Sequence, residues 1–124
     1  MRKTLVLLPL LFLAYCTPKS SNLTERERLL INSQDILSWA EDGRVEVLTA
    51  VRELRDSGAI SEAVVEKFRI LGKEMERVQR TAVEAQRSYI LSTTEANESA
   101  FVAALGEVKR LIVELQRLWG EVKP

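Results

Sequence analysis

Three stretches of this chain carry apolar side chains at helical spacing, and two short polar segments separate them. The first stretch runs from about Leu23 to Asp56. Its apolar or small residues lie three or four positions apart on two adjacent rows: Leu29, Leu30, Ser33, Ile36, Leu37, Ala40, Val47, Ala50, Val51 and Leu54. Arg44 is a charged residue that falls on the same face. This spacing predicts an amphipathic helix. Thr24 and Glu27 have capping-box spacing at its start, and Gly43 marks a point where it can kink or split.

The second and third stretches each have one apolar seam. In the second, from about Glu62 to Leu91, the seam alternates steps of four and three: Val64, Phe68, Leu71, Met75, Val78, Ala82, Ala85 and Tyr89. This is a heptad pattern of the coiled-coil kind. The third, from about Glu95 to Trp119, has a wider seam: Phe101, Leu105, Val108, Leu111, Ile112, Leu115, Leu118 and Trp119. Gly120 is the predicted end of this helix. We expect Leu71 and Ile112 to be deeply buried and Val83 to lie off the seam.

Two short turns connect the three predicted helices. In "RDSGAIS", residues 55–61, Gly58 is the expected C-cap and Ser61 the next N-cap. In "STTEANES", residues 92–99, Ser92 and Glu95 have capping-box spacing. Short turns make neighbouring helices antiparallel. The chain is therefore predicted to be all-α, an antiparallel three-helix bundle over residues 23–124. Its expected end layers are Val51, Phe68 and Trp119 at one end, and Ser33, Ala85 and Phe101 at the other.

A separate apolar run precedes the bundle. It extends for eleven residues, from Leu5 to Tyr15, behind the cations Arg2 and Lys3. A membrane-spanning helix needs about 20 apolar residues, whereas a run of this length behind positive charges is typical of a signal-peptide core. Residues 1–15 are thus predicted to be a signal peptide. "TPKSSN", residues 17–22, is a polar tether between Cys16 and the bundle.

The end of the apolar run, "LAYC" at residues 13–16, resembles the lipobox of bacterial lipoprotein precursors. Leu13 and Ala14 fit that pattern, while Tyr15 occupies a position that is usually Gly, Ala or Ser. The resemblance covers only residues 1–21. It implies that Cys16 receives a diacylglycerol and becomes the acylated first residue of a membrane-anchored protein. A conventional cleaved signal is the alternative, since Ala14 and Cys16 are small residues in suitable spacing; an uncleaved anchor is another.

Composition narrows the chemistry of the body. The 124-residue chain has 18 basic and 18 acidic residues, no His and one Cys. Removing Arg2 and Lys3 leaves 16 basic residues against 18 acidic ones, which is unlike a nucleic-acid-binding protein. The carboxylate pairs Glu62/Glu66 and Asp42/Glu46 fall off the seams, where acids are ordinarily solvated. We therefore expect no catalytic residues, no cofactor, no metal and no nucleic-acid partner.

One basic segment and one aromatic residue remain as candidate contact sites. "KFRILGKEMERVQR", residues 67–80, could meet anionic lipid headgroups or a partner, but its cations interleave with Glu74 and Glu76 as on an ordinary solvated face. Trp39 lies about 100° from the centre of the first apolar face. It is either a boundary residue that covers its neighbours or, with Ile31 and Val45, part of a partner-binding strip.

These observations predict a small helical lipoprotein of the cell envelope. We expect it to be held on the periplasmic or extracellular side of a bacterial membrane through lipid on Cys16, with an interaction or structural role toward a protein partner that the sequence does not identify. The alternatives are a secreted helical carrier of an apolar ligand and a non-catalytic accessory of an envelope or lysis enzyme.

Overall fold

A computed structural model describes residues 24–122 and confirms the all-α prediction. Three helices pack against one another: α1 (Glu25–Asp56), α2 (Glu62–Leu91) and α3 (Glu95–Val122). The chain reverses direction at each of two short turns, so α2 is antiparallel to both neighbours. The predicted signal peptide, residues 1–15, and the predicted lipidated cysteine and tether, residues 16–22, lie outside the described residues.

Helix α1 begins where the sequence predicts and continues through its suspected weak point. The backbone N–H of Glu27 donates to Thr24 Oγ1 at 3.1 Å, and the backbone N–H of Thr24 donates to Glu27 Oε1 at 3.1 Å, which completes the capping box. These bonds to Thr24 lower the pKa of Glu27. Gly43 is buried inside an unbroken helix. One helical glycine costs about 1 kcal/mol, which packing on both neighbouring helices can offset.

The first turn has the hydrogen bonds of a Schellman motif. The N–H of Ala59 donates to the carbonyl of Leu54 at 2.8 Å, and that of Gly58 donates to the carbonyl of Arg55 at 3.0 Å. Gly58 has a φ of 76°, a left-handed conformation that only glycine adopts readily. Ser61 then caps α2 by accepting the N–H of Val64. The predicted N-cap Ser61 is confirmed, whereas the C-cap of α1 is Ser57 and Gly58 is the left-handed residue that follows it.

The second turn and the end of α3 differ from the prediction. Thr94, not Ser92, caps α3: its hydroxyl accepts the N–H of Asn97 at 3.1 Å, while the N–H of Ser92 donates back to the carbonyl of Ser88. Helix α3 also continues past Gly120 to Val122. Gly120 costs up to about 1 kcal/mol as a helical residue, and the ion pair between Arg117 and Glu121 spans it.

The core follows the predicted seams in most positions. Buried seam residues from the three helices form one continuous cluster. At one end of the core Phe68 packs edge-on against Trp119, with ring centroids 6.5 Å apart. At the other end the ring centroids of Tyr89 and Phe101 are 5.9 Å apart. Ile112 is buried as predicted. Leu71 is only half-buried, because α2 turns its next residue, Gly72, toward α1, so the prediction of deep burial for Leu71 was wrong.

Tyr89 is expected to make the bundle sensitive to alkali. Its ring is buried, and its hydroxyl donates to Glu98 Oε2 at 3.2 Å. Burial, followed by the charge of Glu98, raises the pKa of the Tyr89 phenol above its ordinary value. The folded state thus favours the protonated phenol. This contribution is fully present below pH 10, the approximate pKa of an unfolded tyrosine, and is lost as the pH rises through the folded-state pKa.

The prediction can be checked by measuring thermal unfolding of the wild type and of Tyr89→Phe from about pH 8 to about pH 11.5, around the ordinary tyrosine pKa. We expect the wild type to lose more stability above pH 10 than the variant does. Lysine deprotonation is common to both proteins and cancels in the difference. Identical pH profiles would show that the Tyr89 phenol contributes nothing to alkaline unfolding.

Candidate functional site

The structure does not bring the three residues of the predicted partner strip together. Trp39 is only 7% exposed and belongs to the core, whereas Ile31 and Val45 are 50% and 49% exposed. At 100° per residue, Trp39 and Val45 lie about 120° apart around α1. Of the two interpretations of Trp39, its burial favours the residue that packs against its neighbours over the partner-binding strip with Ile31 and Val45. Cys16, the predicted lipidation site, lies outside the described residues.

The clearest concave site lies between α1 and α2, beside the first turn, and is here called the α1–α2 groove. It has a volume of about 300 Å³. Its apolar floor is formed by Leu48, Val51, Val65, Phe68 and Gly72. Its rim carries four cations and one carboxylate: Arg52, Arg55, Arg69, Lys73 and Glu76. An excess of three positive charges on the rim distinguishes this site from the groove between α2 and α3, where three cations lie beside two carboxylates over an apolar floor.

Helical spacing explains how each side of the groove is assembled. On α1, residues 48, 52 and 55 are separated by four and three positions and so lie on one face. On α2, residues 65, 69, 72 and 76 follow the same spacing. The first turn brings the two rows face to face. The sequence contained both rows, but their juxtaposition depends on how each helix rotates about its axis.

Gly72 holds the two helices close at the floor of the groove. A Cβ at this position would lie 3.0 Å from Leu48 Cδ1, closer than side chains normally approach. The missing side chain leaves space that the α1 leucine partly occupies. As a result the floor is recessed: Phe68 is 0% exposed, although it lines the site.

The groove is basic within a body that is acidic overall. Residues 24–122 contain 14 Lys and Arg against 18 Asp and Glu. Arg69 donates a hydrogen bond from its Nε to Glu66 Oε1 at 2.8 Å. Its hydrogen bonding to Glu66 lowers the pKa of that carboxyl. Arg55 approaches Asp56 at 3.4 Å. Arg52 and Lys73 form no salt bridge with any residue between 24 and 122, so their charges are available to an anionic group.

A charge cluster closes the groove on the side away from the turn. Arg44 is only 11% exposed along its side chain. Its Nη2 donates to both carboxylate oxygens of Glu41, at 2.7 and 2.8 Å, and its Nη1 donates to Glu76 at 3.0 Å. The aliphatic stem lies between the helices while the head reaches carboxylates at the surface, as expected for a snorkelling side chain. Because Glu76 is paired here, it neutralises the rim less than a free carboxylate.

Beyond this cluster, the α1–α2 interface is joined by polar contacts that the sequence did not reveal. Ser33 is fully buried; its Oγ donates to the carbonyl of Leu30 at 2.8 Å and accepts Gln86 Nε2 at 2.9 Å. Gln79 Nε2 donates to the carbonyl of Leu37 at 3.4 Å. These bonds tie α1 to α2 along their length, which fixes the positions of both walls of the groove.

Between Thr24 and Val122, no three Asp, Glu, Cys or His side chains converge in a way that could bind a metal ion. Within that span no helix has both the length and the apolar character needed to cross a bilayer. Comparison with protein-family models, with curated proteins and with solved structures finds no match to this chain.

Proposed function

We propose that this chain is a lipid-anchored helical protein of a bacterial cell envelope that acts by binding a protein partner and not by catalysis. The observation that carries the proposal is the N-terminal "LVLLPLLFLAYC", a short apolar core behind two cations that ends at Cys16. Acyl chains on Cys16 would hold the protein at the membrane, since each buried CH₂ contributes about 0.8 kcal/mol and several chains bind far more firmly than one.

The shape of the bundle supports a binding role at a distance from the anchor. Cys16 lies eight residues before Thr24, a span of at most about 28 Å. Helix α1 starts there, and Leu48 lies 23 residues beyond Glu25, about 35 Å along the helix axis. An anchored bundle can therefore hold the α1–α2 groove clear of the lipid headgroups, where a partner can reach it.

Changing Cys16 to serine tests the anchor. Cells that express the wild type or Cys16→Ser are grown with a labelled fatty acid, and membrane and soluble fractions are compared. We expect the wild type to carry label in the membrane fraction and Cys16→Ser to lose both label and membrane attachment, because the serine hydroxyl cannot replace the thiol as the acceptor of the diacylglyceryl group. Tyr15→Ala is the matched control. It retains Cys16, moves the lipobox closer to its usual pattern and is expected to stay labelled.

Two outcomes would contradict lipidation. One is equal label in the wild type and Cys16→Ser, and the other is the absence of label from both the wild type and Tyr15→Ala. An unlabelled wild type found in the medium would instead support the secreted alternative. For that alternative, the apolar floor of the α1–α2 groove, with a volume of about 300 Å³, is the place where an apolar ligand would bind.

A further inference from the structure

We infer that the α1–α2 groove binds an acidic segment of a protein partner, one that inserts a single apolar side chain between flanking carboxylates. The inference deepens the proposed function and rests on it in one respect, namely that the chain acts through contact with another protein. It names the surface and the chemistry of the partner, neither of which follows from the anchor.

Charge complementarity sets the sign of the partner. Four cations surround the floor of the groove. The one carboxylate on the rim, that of Glu76, is paired with Arg44. Arg52 lies on the α1 wall and Lys73 on the α2 wall, so an anionic segment lying over the groove meets positive charge on both sides. Arginine binds carboxylates through two parallel N–H donors, which favours partner Asp and Glu over neutral side chains.

The recessed floor favours a protein segment over a lipid surface. The half-buried Leu48 and Val65 supply the accessible apolar surface of the floor, and Val51 and Phe68, 3% and 0% exposed, lie beneath it, so the floor is a hollow and not a raised patch. A membrane surface is engaged by apolar side chains that protrude from a protein, whereas a hollow receives a side chain that protrudes from a partner. At about 300 Å³, the hollow is at the small end of binding pockets, which matches one inserted side chain.

The test is site-specific photo-crosslinking in intact cells with the full chain. A p-benzoylphenylalanine reporter replaces Leu48 at the floor or, in a second variant, Arg55 at the exposed rim, so the test does not depend on the first variant folding. A third variant carries the reporter at Val113 on α3, which is 62% exposed and outside the groove. Crosslinked peptides are identified by mass spectrometry, which defines the captured segment itself.

We expect both groove reporters to capture one protein segment with an apolar residue flanked by Asp or Glu, and Val113 not to capture it. Arg52→Glu with Lys73→Glu should reduce the crosslinked yield about tenfold or more, because it replaces attraction with like-charge repulsion. Arg87→Glu with Lys109→Glu is the matched control. It makes the same change in net charge at exposed positions outside the groove lining and should preserve the crosslink.

Crosslinks to phospholipid, to a second copy of this chain or to a segment without carboxylates would each overturn the inference. The absence of any crosslink from both groove positions would also overturn it. Capture by Val113 alone would overturn the groove while leaving the proposed binding role standing. Conversely, an acidic segment captured in the groove of a protein whose Cys16 proves unlipidated would uphold the groove and remove the anchor. The two proposals can thus fail separately.

Discussion

Replacing Phe68 with alanine is expected to lower the free energy of unfolding by about 3–5 kcal/mol. The ring is 0% exposed and packs edge-on against Trp119. Its removal loses apolar burial, leaves a cavity between the helices and abolishes the aromatic pair. Since small domains are stable by only about 5–15 kcal/mol, much of the bundle's stability depends on this side chain. Urea unfolding followed by helical circular dichroism measures the loss.

Ile70→Ala is the matched control for this prediction. Ile70 lies two residues away on the same helix but is 58% exposed, so its truncation removes a large aliphatic side chain without opening a core cavity. We expect a change within about 0.5 kcal/mol, as for ordinary surface substitutions. If Ile70→Ala lowered the free energy of unfolding as much as Phe68→Ala does, α2 would have to face the core with a different set of side chains.

Trp39→Ala is expected to destabilise the bundle by a similar amount, about 3–5 kcal/mol. Its indole is nearly buried against the core cluster, in contrast to the partner-binding role that its position on a helical wheel allowed. Ile31→Ser and Val45→Ser, both at half-exposed positions on α1, should leave the urea midpoint almost unchanged. If Trp39→Ala unfolded like the wild type but lost partner capture, the indole would be an exposed anchor after all.

Helix type, length and most of the core were predictable from the chain because each depends on local rules. Capping pairs such as Thr24 with Glu27, and the glycine of the first turn, are set by residues within a few positions of one another. A heptad seam likewise marks one face without reference to a partner. Thr94 was missed since Ser92 has equivalent chemistry, and only the path of the backbone through the turn decides between them.

The α1–α2 groove and the burial of Trp39 were not predictable from the sequence, because both depend on the orientation of each helix about its own axis. A residue near 100° from the centre of an apolar face is exposed on an isolated helix but is covered when a third helix packs on that side. In the same way, cations at 69 and 73 interleave with acids along the sequence. The tertiary fold sets them opposite Arg52 and Arg55 of α1.

The two short turns have a consequence for how the protein reaches its working state. They join the helices through five residues, 57–61, and three residues, 92–94, and most contacts in the bundle lie within single helices, between residues close in sequence. Topologies of this kind fold in microseconds to milliseconds. Between residues 24 and 122 the chain has no proline and no cysteine, so neither prolyl isomerisation nor disulfide formation can slow that step. If the proposed signal peptide directs export, a chain that leaves the channel unfolded would therefore acquire its bundle almost as soon as α3 is released.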